Sequence, residues 1–215
     1  MPRTKYTHEP APCANLASRI SRVLDEGGVP HVLFGWLAVA LIGCNEGFGD
    51  VDFIIADEKI EAARERLKHF NGATACEKPG CPHFKVDPLD RGFQGPSSPP
   101  SRNRYRLPGK YHFHVNPAYV LRIHEKSNIA PWLPDPQPGP PAANDPNYWR
   151  TNDWERWANP GDLGPSGPWI FLYPIKTLSP DALMGVVGYR QDMDAGLPIG
   201  NLWSWMRHSL SFRSG

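Results

Sequence analysis

Apolar residues recur at helical spacing between Asn15 and Glu26, where Leu16, Ile20, Val23 and Leu24 share one side and Gly27-Gly28 ends the pattern. HVLFG (31–35) follows as a short unbroken apolar run of the buried-strand kind. WLAVALIG (36–43), alanine-rich behind Gly35, predicts a short helix. DVDFIIA (50–56) predicts a second strand. Asp57 is placed to cap a helix whose face carries Ile60, Ala63, Leu67 and Phe70 and which stops at Asn71-Gly72. ATAC (73–76) is a marginal third strand. YHFHV (111–115) and YVLRIH (119–124) alternate with period two and predict paired strands across Asn116-Pro117. Near the C-terminus, WIFLY (169–173) is apolar, Ser179-Pro180 opens a well-signalled helix with Leu183, Val186, Val187 and Arg190, and 201–210 predicts a last short helix.

Between these segments the pattern lapses. The chain has 25 Pro and 20 Gly in 215 residues, and 77–110 and 131–168 show no periodicity. The second of these is too rich in tryptophan for a plain disordered linker and predicts loop that wraps over a folded domain. Hydrophobic content of 40 % suffices for a core, and the length suits one domain with an added lobe. Charge nearly cancels, 23 Lys+Arg against 22 Asp+Glu, so no global field attracts nucleic acid. Four cysteines are too few for a disulfide framework at this length, and no apolar signal core or 18-residue apolar run occurs. The expectation is a cytoplasmic protein with reduced thiols, no membrane partner, and a small molecule or nucleotide as ligand.

GFGDVDFII (47–55) carries the sharpest chemistry. Alternate residues of a strand point the same way, so Asp50 and Asp52 share a face while Val51 and Phe53 point to the other. Two carboxylates this close repel unless a cation lies between them, and hard oxygens suit Mg²⁺. Gly35 at a strand–turn–helix, followed about fifteen residues later by DVDFII, resembles the signature of the nucleotidyltransferase-fold superfamily, over roughly residues 14–125. The resemblance implies an α/β (α+β) fold, a mixed sheet flanked by helices, with residues 126–215 as a Pro/Trp-rich elaboration packed on that core. It implies Mg²⁺ on Asp50 and Asp52, and a nucleotide moved from a nucleoside triphosphate to a hydroxyl acceptor. The phosphates would lie at the turn of Gly35 and Trp36, where Trp36 replaces the family's second small residue. The third metal-holding position would fall to His114 or Asp87.

Other residues bear on the same cleft. His112 and His114 share a face of YHFHV and are candidate acid–base or metal-completing groups. Arg102, Arg104, Arg106 and Lys110 around Tyr105 form a basic loop able to contact a nucleotide's phosphates. Cys76, Cys81 and His83, with a histidine from 112–114, contain the ligand types of a zinc site, against the alternative of thiols packed in a turn. Trp132, Trp149, Trp154, Trp157 and Trp169 either pin loops to the core or wall an aromatic pocket. Three functions follow: the metal-dependent transferase, a catalytically degenerate binding protein on the same fold, and acid–base chemistry on an apolar small molecule by the aspartates and histidines.

Overall fold

A computed structural model describes residues 12–41, 50–78, 81, 109–115, 119–153 and 169–193, with side chains to 186 in the last stretch. Its elements are α1 (Pro12–Glu26), β1 (His31–Phe34), α2 (Gly35–Leu41), β2 (Asp50–Ile55), α3 (Ile60–Lys68), β3 (Ala73–Ala75), β4 (Tyr111–Val115), β5 (Tyr119–Glu125), α4 (Lys126–Ile129), β6 (Tyr148–Arg150), β7 (Lys176–Leu178) and α5 (Pro180–Met193). Among the described residues the strands form one mixed seven-stranded sheet, in the order β3-β4-β5-β2-β1-β7-β6. The α/β class implied by the resemblance is therefore the class observed, as a mixed sheet with helices. The strands after residue 125 join the same sheet beyond β1, through the parallel pair β1–β7 and the antiparallel pair β6–β7.

The two faces of the sheet differ in chemistry. Val51, Phe53 and Ile55 of β2, Leu121 and Ile123 of β5, and Phe113 of β4 fall on one face by strand alternation and register, and all are fully buried. Leu16, Ala17, Ile20 and Leu24 of α1 and Ile60, Ala63 and Leu67 of α3 belong to the same core. Each large aliphatic side chain so buried contributes roughly 1.5–3 kcal/mol. The opposite face carries Asp50, Asp52, Arg122, His124, His112 and His114.

Several local readings change. Asp57 does not cap the helix after it: a 3-10 turn (Asp57–Lys59) intervenes, and the α3 N-cap is Lys59. The Asp57 carboxylate instead accepts the Ser127 amide at 3.0 Å, fastening the start of α4. WIFLY forms a 3-10 turn at Trp169–Phe171, and Trp169 is wholly buried. Tyr148–Arg150, inside the stretch expected to be wrapping loop, is a strand because its backbone pairs with β7. Ser179 does cap α5, its hydroxyl accepting the Ala182 amide at 3.2 Å. The helix expected at 201–210 lies outside the described residues.

Among the described residues, His31 is the histidine aimed into the apolar face. Its Nδ1 lies 2.9 Å from the Val29 carbonyl and its Nε2 2.5 Å from Ser21 Oγ. With Nδ1–H donating, Nε2 accepts the serine hydroxyl, a network that suits the neutral ring. Burial pushes its pKa below the ordinary value and the Lys176 charge adds to this, against the Val29 carbonyl and Asp25. A depressed histidine pKa means that the unfolded chain binds the extra proton first. Stability is then full above the unfolded value of about 6.5 and falls as pH drops below it, by up to ~1.4 kcal/mol per pH unit. Denaturant titrations between pH 7 and 5.5 should show a shallower decline for His31→Gln than for wild type; equal slopes would refute a neutral His31.

Candidate functional site

β2 begins with the acid pair and lies between β1, antiparallel, and β5, parallel. The registers Phe34↔Asp52, Asp52↔Arg122 and Arg122↔His112 set Phe34, Asp52, Arg122 and His112 in one row across four strands. In the rows to either side, Asp50 faces Val120, and Ile54 faces His124. The strand beside the acid pair is thus β5 and not β4. His112 and His114 lie one strand farther out, about 10 Å from Asp52 at ordinary strand spacing.

The cation between the two carboxylates is the Arg122 guanidinium. Its Nη2 lies 3.2 Å from Asp50 Oδ2 and its Nη1 3.4 Å from Asp52 Oδ1. His124 Nε2 donates to the same Asp52 oxygen at 3.0 Å, and the Phe34 ring meets the His124 ring edge-on at 6.0 Å. All four polar groups are buried, Arg122 to 1 % exposure and Asp52 to 7 %. Burial alone would raise the Asp52 pKa. The hydrogen bond from His124 and the charge of Arg122 outweigh it and hold the carboxyl below its ordinary value, so Asp52 is ionised.

Two glycines let backbone come close to this network. Gly35 has φ of +70° and opens α2 directly against the acid strand; a Cβ there would sit 2.6 Å from Asp52 Oδ2. Gly109 passes so close to β5 that a Cβ would lie 3.0 Å from Arg122 Cβ and 2.9 Å from the Tyr111 carbonyl oxygen. Backbone thus approaches the acid–arginine network from both ends of the row.

The remaining sequence candidates divide. Trp36 follows Gly35 in α2 and is half-buried against the core. Lys110 is exposed and pairs with Glu125 at 3.1 Å, which raises its pKa. His112 and His114 lie with rings 5.2 Å apart and nearly perpendicular, and with Cys76 and Cys81 they bring four ligand atoms within 4.8 Å of one another. His83, Asp87, Arg102, Arg104, Tyr105, Arg106, Trp154 and Trp157 lie outside the described residues. Arg122 and His124 are the site residues the sequence reading passed over. Their signal is present in YVLRIH, where a strand of otherwise buried type places Arg and His two apart on one face.

No protein-family model, curated protein or solved structure matches the chain. Among the described residues no helix is long and apolar enough to cross a membrane.

Proposed function

We propose that the chain is a nucleotidyltransferase-like protein whose acid pair binds its own Arg122 in place of a divalent ion, and that it works as a binding protein and not as a transferase. The observation that carries this reading is the guanidinium bridging Asp50 and Asp52 from the neighbouring parallel strand. A metal-holding pair needs an uncompensated negative charge, and a third carboxylate beside it would deepen that charge. Here the residues beside the pair are Arg122 and His124, each of the opposite tendency. The carboxylate charges are compensated internally, while Arg122 Nε is buried without a hydrogen-bond partner, and the ligand is recognised without Mg²⁺.

A second reading, metal-dependent transfer from a nucleoside triphosphate, draws support from two details. Gly35 lies against Asp52, the placement the resemblance implies for a phosphate-holding turn. The Arg122 contacts, at 3.2 and 3.4 Å, are longer than the ~2.8 Å of a tight charge-assisted bond, so an ion would meet a loose competitor. Titration calorimetry with each common nucleoside triphosphate separates the two. The binding-protein reading expects no heat that depends on Mg²⁺ and no ligand lost to chelator. Mg²⁺-dependent heat that Asp52→Asn abolishes in a folded chain would reinstate the transferase.

A further inference from the structure

We infer that Cys76, Cys81, His112 and His114 form a zinc site that fastens the β3 edge of the sheet. The four residues come from two pieces of chain far apart in sequence and meet because β3 and β4 are antiparallel neighbours. Thr74 lies opposite His114, and the Cys76 amide extends the ladder by donating to the His112 carbonyl at 3.1 Å. Cys76 therefore arrives beside His112. The Cys81 amide donates to the Lys78 carbonyl at 3.0 Å, and the Cys81 thiol reaches the same place, 3.7 Å from His114 Nε2. His112 and His114, two apart on β4, project from one face.

The dimensions and the chemistry agree. Tetrahedral zinc with Zn–S near 2.3 Å and Zn–N near 2.05 Å requires ligand–ligand edges of about 3.3–3.8 Å. Cys81 Sγ lies 3.7 Å from His114 Nε2, and no two of the four ligand atoms are more than 4.8 Å apart. Closing the longest edge takes about an ångström of side-chain movement, available at Cys76 and His114, which are only half-buried, while Cys81 and His112 are buried. Two thiolates and two neutral imidazoles cancel the charge of Zn²⁺, so the closed site leaves no net charge in a partly buried position. Mixed sulfur and nitrogen ligands select zinc over Mg²⁺, which prefers oxygen. With all four positions taken by protein the site is structural and not catalytic. β3 is three residues long and is paired on one side only by β4 among the described residues, so a metal clip there holds a weak edge in register.

This inference stands apart from the reading of the acid pair, and its failure would leave that reading untouched. Elemental analysis of the full-length chain should give about one zinc per chain, and chelator-stripped chain should take up the same amount from zinc salt alone. Substituted Co²⁺ should show the strong visible bands of a tetrahedral ion together with thiolate-to-metal charge transfer. Cys81→Ser and His114→Ala should each lose the metal, and Cys13→Ser, on α1 and outside the cluster, should keep it. His112→Cys should keep the metal and strengthen the charge-transfer band, a change that packing alone cannot produce. Less than about a tenth of an equivalent in both the purified and the zinc-treated wild-type chain, or full zinc retained by Cys81→Ser, overturns the site.

Discussion

Replacing Arg122 with methionine is expected to lower stability at pH 7 by about 3–5 kcal/mol, the usual loss when one partner of a buried charge network is removed. Methionine keeps the apolar stem and removes only the head that meets Asp50 and Asp52. The two carboxylates, with side chains 7 % and 10 % exposed, then face each other inside the protein. Without the guanidinium, burial and like-charge repulsion act on the Asp52 carboxyl against His124 alone and raise its pKa from the wild-type position. A folded-state pKa raised from the wild-type position means that the variant gains stability relative to wild type as pH falls, so its deficit should shrink between pH 7 and pH 5. Wild type behaves oppositely in the acid range. The Asp52 pKa is depressed, so its contribution is full above the unfolded carboxylate value and is lost as pH falls through the folded one. Two rescues follow from the same charge argument. Asp50→Asn with Asp52→Asn in the Arg122→Met background should recover most of the loss. Millimolar Mn²⁺ should recover part of it, by occupying the place the guanidinium left. Urea denaturation at the two pH values measures all of this, and an Arg122→Met chain within about 1 kcal/mol of wild type at pH 7 would show that the arginine does not hold the pair.

Why Arg122 escapes a reading of the sequence is a matter of which strands are neighbours. Period-two alternation places Asp50 and Asp52 on one face, and they lie there. The same alternation places Arg122 and His124 on one face of their strand, but it does not say which strand that face adjoins. The hairpin of β4 and β5 is local, joined by a short connection, and so is visible in the chain. The β2–β5 pairing joins residues some seventy positions apart and is set by packing of the apolar face on α1 and α3, which leaves no mark on local spacing. The expectation therefore looked for the third group on YHFHV, one strand too far. The cysteine cluster was partly legible. Its ligand types show in the chain itself, so Cys76, Cys81 and a histidine from 112–114 were already candidates for one site. That both histidines join it depends on the register Thr74↔His114, which only the assembled sheet supplies. Tyr148–Arg150 shows a third limit: three residues in a proline-rich stretch carry no period, and their strand exists only because β7 offers an edge.

Gly35→Ala is expected to cost about 2–5 kcal/mol, from two sources that a control can separate. The first is backbone: at φ of +70° an L side chain is strained by about 1–2 kcal/mol. The second is contact: the new methyl would lie 2.6 Å from Asp52 Oδ2 and 3.1 Å from its Cγ, too close for either to stay. Asp52 cannot yield freely, because His124 and Arg122 hold its other oxygen. The methyl group therefore strains the network as well as the turn, a form of overpacking that costs about 1–3 kcal/mol. Gly28 supplies the control. Its φ of +64° is nearly the same, yet a Cβ there would meet nothing within 4 Å. Gly28→Ala should show the backbone part alone, and the difference between the two variants measures how tightly the α2 turn is pressed on the acid strand. Combining Gly35→Ala with Asp52→Ala removes the two closest contacts and leaves the Cβ of residue 52 at 3.2 Å, so the pair should cost less than the sum of the single changes by about 1 kcal/mol, roughly the coupling expected of side chains in contact. If Gly35→Ala costs no more than Gly28→Ala, the turn is not braced by Asp52, and the glycine is there for its backbone alone.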